Sequence, residues 1–286
     1  MKGAATYAAQ LRKELNYTKI PVDQVEIAIQ KGIEVSEDDA EGYTGMLLVV
    51  DGEALIAVNK AIREPSRKKF TVAHELGHFA IPGHITPERT SFQCSDKDIS
   101  SFGKADNKEF EANWFASELL MPEDHFRKRV QYKDLSKSLL DDLCTEFGTS
   151  LTATGMRCIT FKPEYALVYS ENSRISWFHT GEEFKYFLDV RPGSPVHNDS
   201  FAYDFFKGTT IPDSFNEVPS QAWASDSKIR NSSKVMEMSI GSSTYNHVLT
   251  FLFVDHEEED EEGYDDASDA DDEYNELDGY LRFKKR

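Results

Sequence analysis

An α+β fold follows from three features of the sequence. Two segments, 66–80 and 107–121, repeat apolar residues at helical spacing. Two apolar runs meet at Asp51-Gly52, and past Lys162-Pro163 the chain alternates apolar and polar residues as strands do. The first part reads as a mostly helical core around a small β-hairpin, the second as a further α+β module, and the end as a polar tail.

Each element has its own signal. Residues 5–16 are amphipathic and read as a first helix. In "IPVDQVEIAIQKGIEV", Pro21 and Asp23 open a second helix and Gly32 suits the left-handed position just past its end. "TGMLLVV" and "ALIAVN" flank Asp51-Gly52, a dipeptide that favours the tight turn of a hairpin. A helix follows over 66–80, then a loop rich in Ser, Asp, Gly and Lys over 85–106. The next helix, "NKEFEANWFASELLMP", stops at Pro122, which cannot continue the backbone hydrogen bonds. Two shorter helices are expected over 134–160 around "FGTS", and strands at "YALVYS", "RISWFH" and "HVLTFLFV".

With 286 residues, 39% of them hydrophobic, the chain can bury one large core or two modest ones. No run approaches eighteen consecutive apolar residues, so no membrane span is expected. Arg12 and Lys13 interrupt the N-terminal segment before a secretory apolar region could form. Cys94, Cys144 and Cys158 are odd in number and widely spaced, as in a reduced, cytoplasmic protein. The net charge of −19 is concentrated: residues 255–278 hold 15 of the 51 acidic groups and no Lys or Arg. Residues 1–254 carry an ordinary −8. The acidic segment has almost no aliphatic residues to bury, so it is expected to be disordered, a solubilising tail or a tether for a basic partner. This charge balance argues against direct nucleic-acid binding.

The chemistry is concentrated in "FTVAHELGHFAI". On a helix His74 and His78 lie about 40° apart, so both rings can meet one ion, and Glu75 sits beside them. Two neutral imidazoles suit zinc, and a catalytic zinc adds a third protein ligand while keeping one position open. His84 has the spacing of the long HExxHxxGxxH motif, but Ile81-Pro82 stands where that motif needs its glycine turn. The stronger candidate is Glu109. It shares one small-residue, apolar face with Ala112, Asn113, Ala116 and Leu120, whereas Glu111 and Glu118 fall on the opposite face. A carboxylate on a buried face needs a partner, and a metal on the facing helix supplies one. Asn113, one turn on, can hydrogen-bond a ligand histidine and fix its tautomer. On this phase Glu109→Gln should weaken metal binding and Glu111→Gln should leave it almost unchanged. Donors for an oxyanion or a substrate include His84, His125 and several tyrosines.

"KKFTVAHELGHF" followed by "KEFEANWFASELLMP" resembles the ImmA/IrrE family of HExxH metallopeptidases, over roughly residues 5–160. The resemblance implies a gluzincin-like core with one Zn²⁺ per chain, held by His74, His78 and Glu109, with Glu75 as catalytic acid/base. It also implies a cytoplasmic regulator whose protein substrate is a helix-turn-helix repressor, in stress or mobile-element responses. Rival readings are a non-catalytic zinc regulator that binds the repressor, and a toxin-like half of a toxin–antitoxin pair. "LCTEFGTSLTATGMRCI" has helix-turn-helix rhythm, but Arg157 is its only base, so packing is expected rather than base readout. The expected organisation is a metallopeptidase core over 1–130, a helical subdomain over 131–162, an α+β regulatory domain over 163–254 and the acidic tail over 255–286.

Overall fold

The computed structural model describes residues 2–39, 42–95, 107–224 and 233–256, so most of the expected acidic tail lies outside the described residues. Helix α1 (Lys2–Glu14) buries Ala4, Ala8 and Leu11, which its periodicity places on one face. Helix α2 (Gln24–Gln30) starts where the Asp23 carboxylate accepts hydrogen bonds from the backbone N–H of Val25 and Glu26, both at 3.0 Å. Gly32 follows at φ +74°, as its position past the helix end requires.

The hairpin is present as β2 (Gly45–Val50) and β3 (Glu53–Asn59), turning through Asp51 and Gly52 at φ +51° and +88°. Two positive φ values in a two-residue loop match the right-handed twist of the flanking strands. Neither hairpin strand is a free edge. Strand β1 (Ile33–Asp38) runs parallel to β3, and β4 (Ser91–Cys94) pairs antiparallel with β2, giving the order β1-β3-β2-β4. This corrects one expectation: the stretch over 85–106 is not all loop. Four residues are too short a run to signal a strand, and the acids of "EVSED" mask β1.

Helices α3 (Pro65–Ala80) and α4 (Asn107–Leu120) pack face to face on this sheet and α1. Gly77 makes the approach possible, since a Cβ there would stand 3.1 Å from Ala112 Cα and 3.2 Å from Phe115. After Pro122 the chain re-enters a helix, α5 (Glu123–Val130), a turn not foreseen from the sequence. Helices α6 (Lys137–Phe147) and α7 (Leu151–Phe161) flank the "FGTS" turn, capped by Ser136 and Ser150, with Gly148 left-handed between them. Arg157 on α7 is buried, paired with Glu118 of α4, and its Nε–H donates to the Met121 carbonyl at 3.2 Å.

The second sheet is antiparallel throughout: β5 (Ala166–Glu171), β6 (Arg174–Thr180), β7 (Asn216–Val218), β8 (Ser233–Ser242) and β9 (His247–His256), in the order β6-β5-β9-β8-β7. One face buries Leu167, Met238, Leu249 and Phe251 against α5–α7. The other covers Val168, Val248 and Leu252 with Trp223 and helix α8 (Phe201–Phe206). Strand β8 escaped the sequence reading because Glu237 interrupts its apolar pattern. That carboxylate is buried and satisfied, accepting from Ala202 N (2.8 Å), Trp223 Nε1 (2.6 Å) and Ser239 Oγ (2.7 Å). No helix among the described residues is long and apolar enough to cross a membrane.

Candidate metal centre

Four buried side chains from three elements converge on one point: His74 and His78 from α3, Glu109 from α4 and Cys94 from β4, their ligand atoms all within 4.8 Å of one another. Glu109 Oε2 lies 3.1 Å from His74 Nε2 and 3.3 Å from His78 Nε2, and the two Nε2 atoms are 3.1 Å apart. Cys94 Sγ is 3.5 Å from Glu109 Oε2 and 3.7 Å from His78 Nε2. A tetrahedral site with ligand distances of about 2.0–2.3 Å has edges of about 3.3–3.8 Å. Five of the six separations lie between 3.1 and 3.7 Å, close to those edges, and the whole group lies within 4.8 Å, so it can hold a metal ion.

The outer nitrogens of both histidines are tied down. His74 Nδ1 donates to Asn113 Oδ1 at 2.9 Å, which turns the Nε2 lone pair inward. His84 Nε2 donates to the Glu111 carboxylate at 3.0 Å. Its Nδ1 is therefore an acceptor and takes the Nδ1–H of His78 at 3.0 Å, so the Nε2 lone pair of His78 also faces the centre. Glu111 thus reaches the site through a relay, although its helical phase places it off the Glu109 face. The geometry thus gives Glu111 a path to the centre that helical phase alone does not. Phe92, two residues before Cys94 on the inward face of β4, stacks on the His78 ring at 4.0 Å between centroids and carries Arg89 over its other side at 3.8 Å.

Electrostatics favour a neutral His78 and an ionised Glu109. Burial pushes His78 down to about 4. Burial alone would raise Glu109, but its side-chain interactions with His74 and His78 overcome it and hold the carboxyl well below the usual range. The Cys94 thiol is pushed up by burial and by the nearby Glu75 and Glu109. Glu75 is itself fully buried and pushed up to about 7 by desolvation, with His74 opposing. Neither of its oxygens has a hydrogen-bond partner, although the Cys94 thiol is close enough to favour its charged form. The space over Glu75 exists because residue 45 is glycine: a Cβ there would sit 2.6 Å from Glu75 Oε1.

Of the residues singled out from the sequence, the structure brings His74, Glu75, His78, Glu109, Asn113 and His84 into one cluster. His125 stands on α5 beside Asp124 at 3.7 Å, 41% exposed. Cys94 was missed. Its only sequence signal is the two-residue alternation with Phe92 on a four-residue strand.

Comparison with known proteins agrees with this geometry. A search of curated proteins gives no match. Among solved structures, a Mycobacterium tuberculosis transcriptional regulator is similar over 88% of this chain and 76% of its own, with a TM-score of 0.52 at 14% identity, a likeness of fold. Residues 28–158 match the family model of the IrrE N-terminal-like domain, peptidase M78, a span that contains every element of the cluster. That stretch, a little under half of the chain, is thus similar to the metallopeptidase-type domain of the ImmA/IrrE family.

Proposed function

We propose that the protein is a zinc-dependent metalloendopeptidase that cleaves a helix-turn-helix transcriptional repressor, in the cytoplasm, as part of a stress or mobile-element response. The observation that carries this reading is Glu75, a buried carboxylate without a hydrogen-bond partner beside converging histidine and glutamate lone pairs. Stranding such a group costs several kcal/mol, a cost that a role as general base beside the centre accounts for.

His74, His78 and Glu109 would hold the zinc, with Asn113 and His84 fixing the ring orientations. Zinc there supplies Lewis-acid polarisation of the scissile carbonyl and acidifies a nucleophilic water. Glu75 acts as the base that takes the water's proton and then delivers it to the leaving amine. Both ring nitrogens of His84 are engaged, so we assign it to positioning His78 rather than to an oxyanion. His125 remains a candidate substrate contact. A cleft of about 620 Å³ is lined by Tyr43, Thr44, Asn59, Arg67 and Ser95, and Thr44 and Ser95 adjoin Gly45 and Cys94. We assign this cleft to binding an extended peptide substrate. The acidic C-terminal segment is the proposed tether for a basic partner.

One observation favours a second reading, a zinc-containing regulator that binds the repressor without cutting it: Cys94 brings a fourth ligand atom to the cluster, as closed structural sites do. The test takes as substrate a helix-turn-helix repressor, sought first among the genes adjacent to this one. It is incubated with wild-type or Glu75→Gln protein, with and without chelator, and read by mass spectrometry. Cleavage should require both Glu75 and metal, falling about 10²–10⁴-fold in the variant. Equal cutting by Glu75→Gln removes the peptidase mechanism, and binding without cutting by either protein favours the regulator.

A further inference from the structure

Strand β4 places Cys94 where a catalytic zinc centre keeps its open position. Two features of the fold hold it there. Its register with β2 sets Cys94 opposite Gly45, and the backbone bonds Thr44 N–H to Cys94 O and Val49 N–H to Thr90 O, both 2.8 Å, clamp the strand at either end. Its inward pair, Phe92 and Cys94, faces the histidines while Ser91 and Gln93 face outward. Independently, Glu75, the one unsatisfied carboxylate at the centre, lies under that same Gly45. Base and thiol therefore meet at one place, the place where water and substrate would have to enter.

We propose that β4 is a built-in plug: Cys94 coordinates the metal as fourth ligand in the resting protein, and the strand must leave β2 before water or an extended peptide can reach the ion. On coordination the Sγ–H bond breaks, an Sγ–metal bond forms and the proton is released to solvent, since the thiolate is the ligand. The plug also answers how a peptide is admitted by a sheet whose hairpin strands are both paired. β4 is a four-residue edge strand, and an extended substrate strand can take its place along β2, exchanging one set of backbone hydrogen bonds for another. This inference rests on the metal-centre reading above and is separable from it by experiment.

Full-length protein is loaded with zinc and its metal content measured, then X-ray absorption at the zinc edge is recorded for wild type, Cys94→Ala and Cys94→Ser. Wild type should show one sulfur at about 2.3 Å alongside nitrogen and oxygen scatterers. Both variants should keep zinc through His74, His78 and Glu109 and lose the sulfur shell. In parallel, cobalt-loaded proteins are titrated with acetohydroxamate, a small chelating ligand that needs an open position. The visible spectrum of Cys94→Ala should change at concentrations that leave wild type unaltered. Zinc bound by wild type without sulfur, or equal response of the two cobalt proteins, overturns the plug while leaving the metal centre standing. Failure of wild type to take up zinc overturns both. The wild-type measurement needs no variant to fold, so it decides the ligation by itself.

Discussion

Glu75 titrates against the fold. Its carboxyl is raised by burial from 4.5 to about 7, so the folded metal-free protein binds a proton there that the unfolded chain has already lost. Stability from this group is therefore undiminished below about pH 4.5 and falls as pH rises towards 7. The gap corresponds to on the order of 3 kcal/mol. Chelator-treated Glu75→Gln should accordingly melt higher than chelator-treated wild type at pH 8 and no higher at pH 4.5, as followed by circular dichroism. A difference that does not change with pH would show that the carboxylate is not desolvated. The relay from Glu111 through His84 to His78 gives a second expectation. His84→Ala or Glu111→Gln should weaken zinc binding about 10–100-fold, the usual cost of losing an outer partner of a ligand histidine. Competition with a chromophoric chelator measures it. Asn113→Ala should act on His74 in the same way.

At the scale of elements, the motif helices were legible because each carries its own chemistry in a continuous run. His74, Glu75 and His78 are fixed relative to one another by one helix, and Glu109 with Asn113 by another. What the sequence hid is whatever depends on a neighbouring strand. Cys94 acquires meaning only when β4 pairs with β2, a long-range contact that no local period encodes. Glu111 lies off the Glu109 face as its helical phase requires, but a helical wheel gives direction and not the partner, and His84 comes from the loop after α3 to meet it. Buried Glu237 hid β8 in the same manner. Space between elements is testable too. Gly45→Val would drive a side chain into Thr71 and Glu75, whose atoms stand 2.5 and 2.6 Å from an added Cβ. Overpacking of this kind costs about 1–3 kcal/mol, and here it should lower both the melting temperature and the zinc content.

Across the whole molecule, the two sheets are joined through the helices between them, and α4 is the shared member. It carries Glu109 to the metal centre at its start and Glu118 to Arg157 near its end. Removing one partner of that buried pair strands a charge, so Glu118→Leu should cost about 3–5 kcal/mol, while a combined Glu118→Leu, Arg157→Met variant should recover most of it. Urea denaturation of the three proteins makes the comparison. Cutting the chain after His256 should leave melting temperature and zinc content unchanged, because the acidic composition beyond it has little to bury. A cut at 254 would instead remove the residues of β9 that pair with Ser233 and Lys234.

The two anchors of α4 are nine residues apart, about 13.5 Å along its axis. A rod held at one point can swivel about it, and a rod held at two cannot. Withdrawing Glu109 by turning the helix would wrench Glu118 from Arg157, and sliding it lengthwise would do the same. α4 therefore behaves as a strut between the centre and the second sheet's helices.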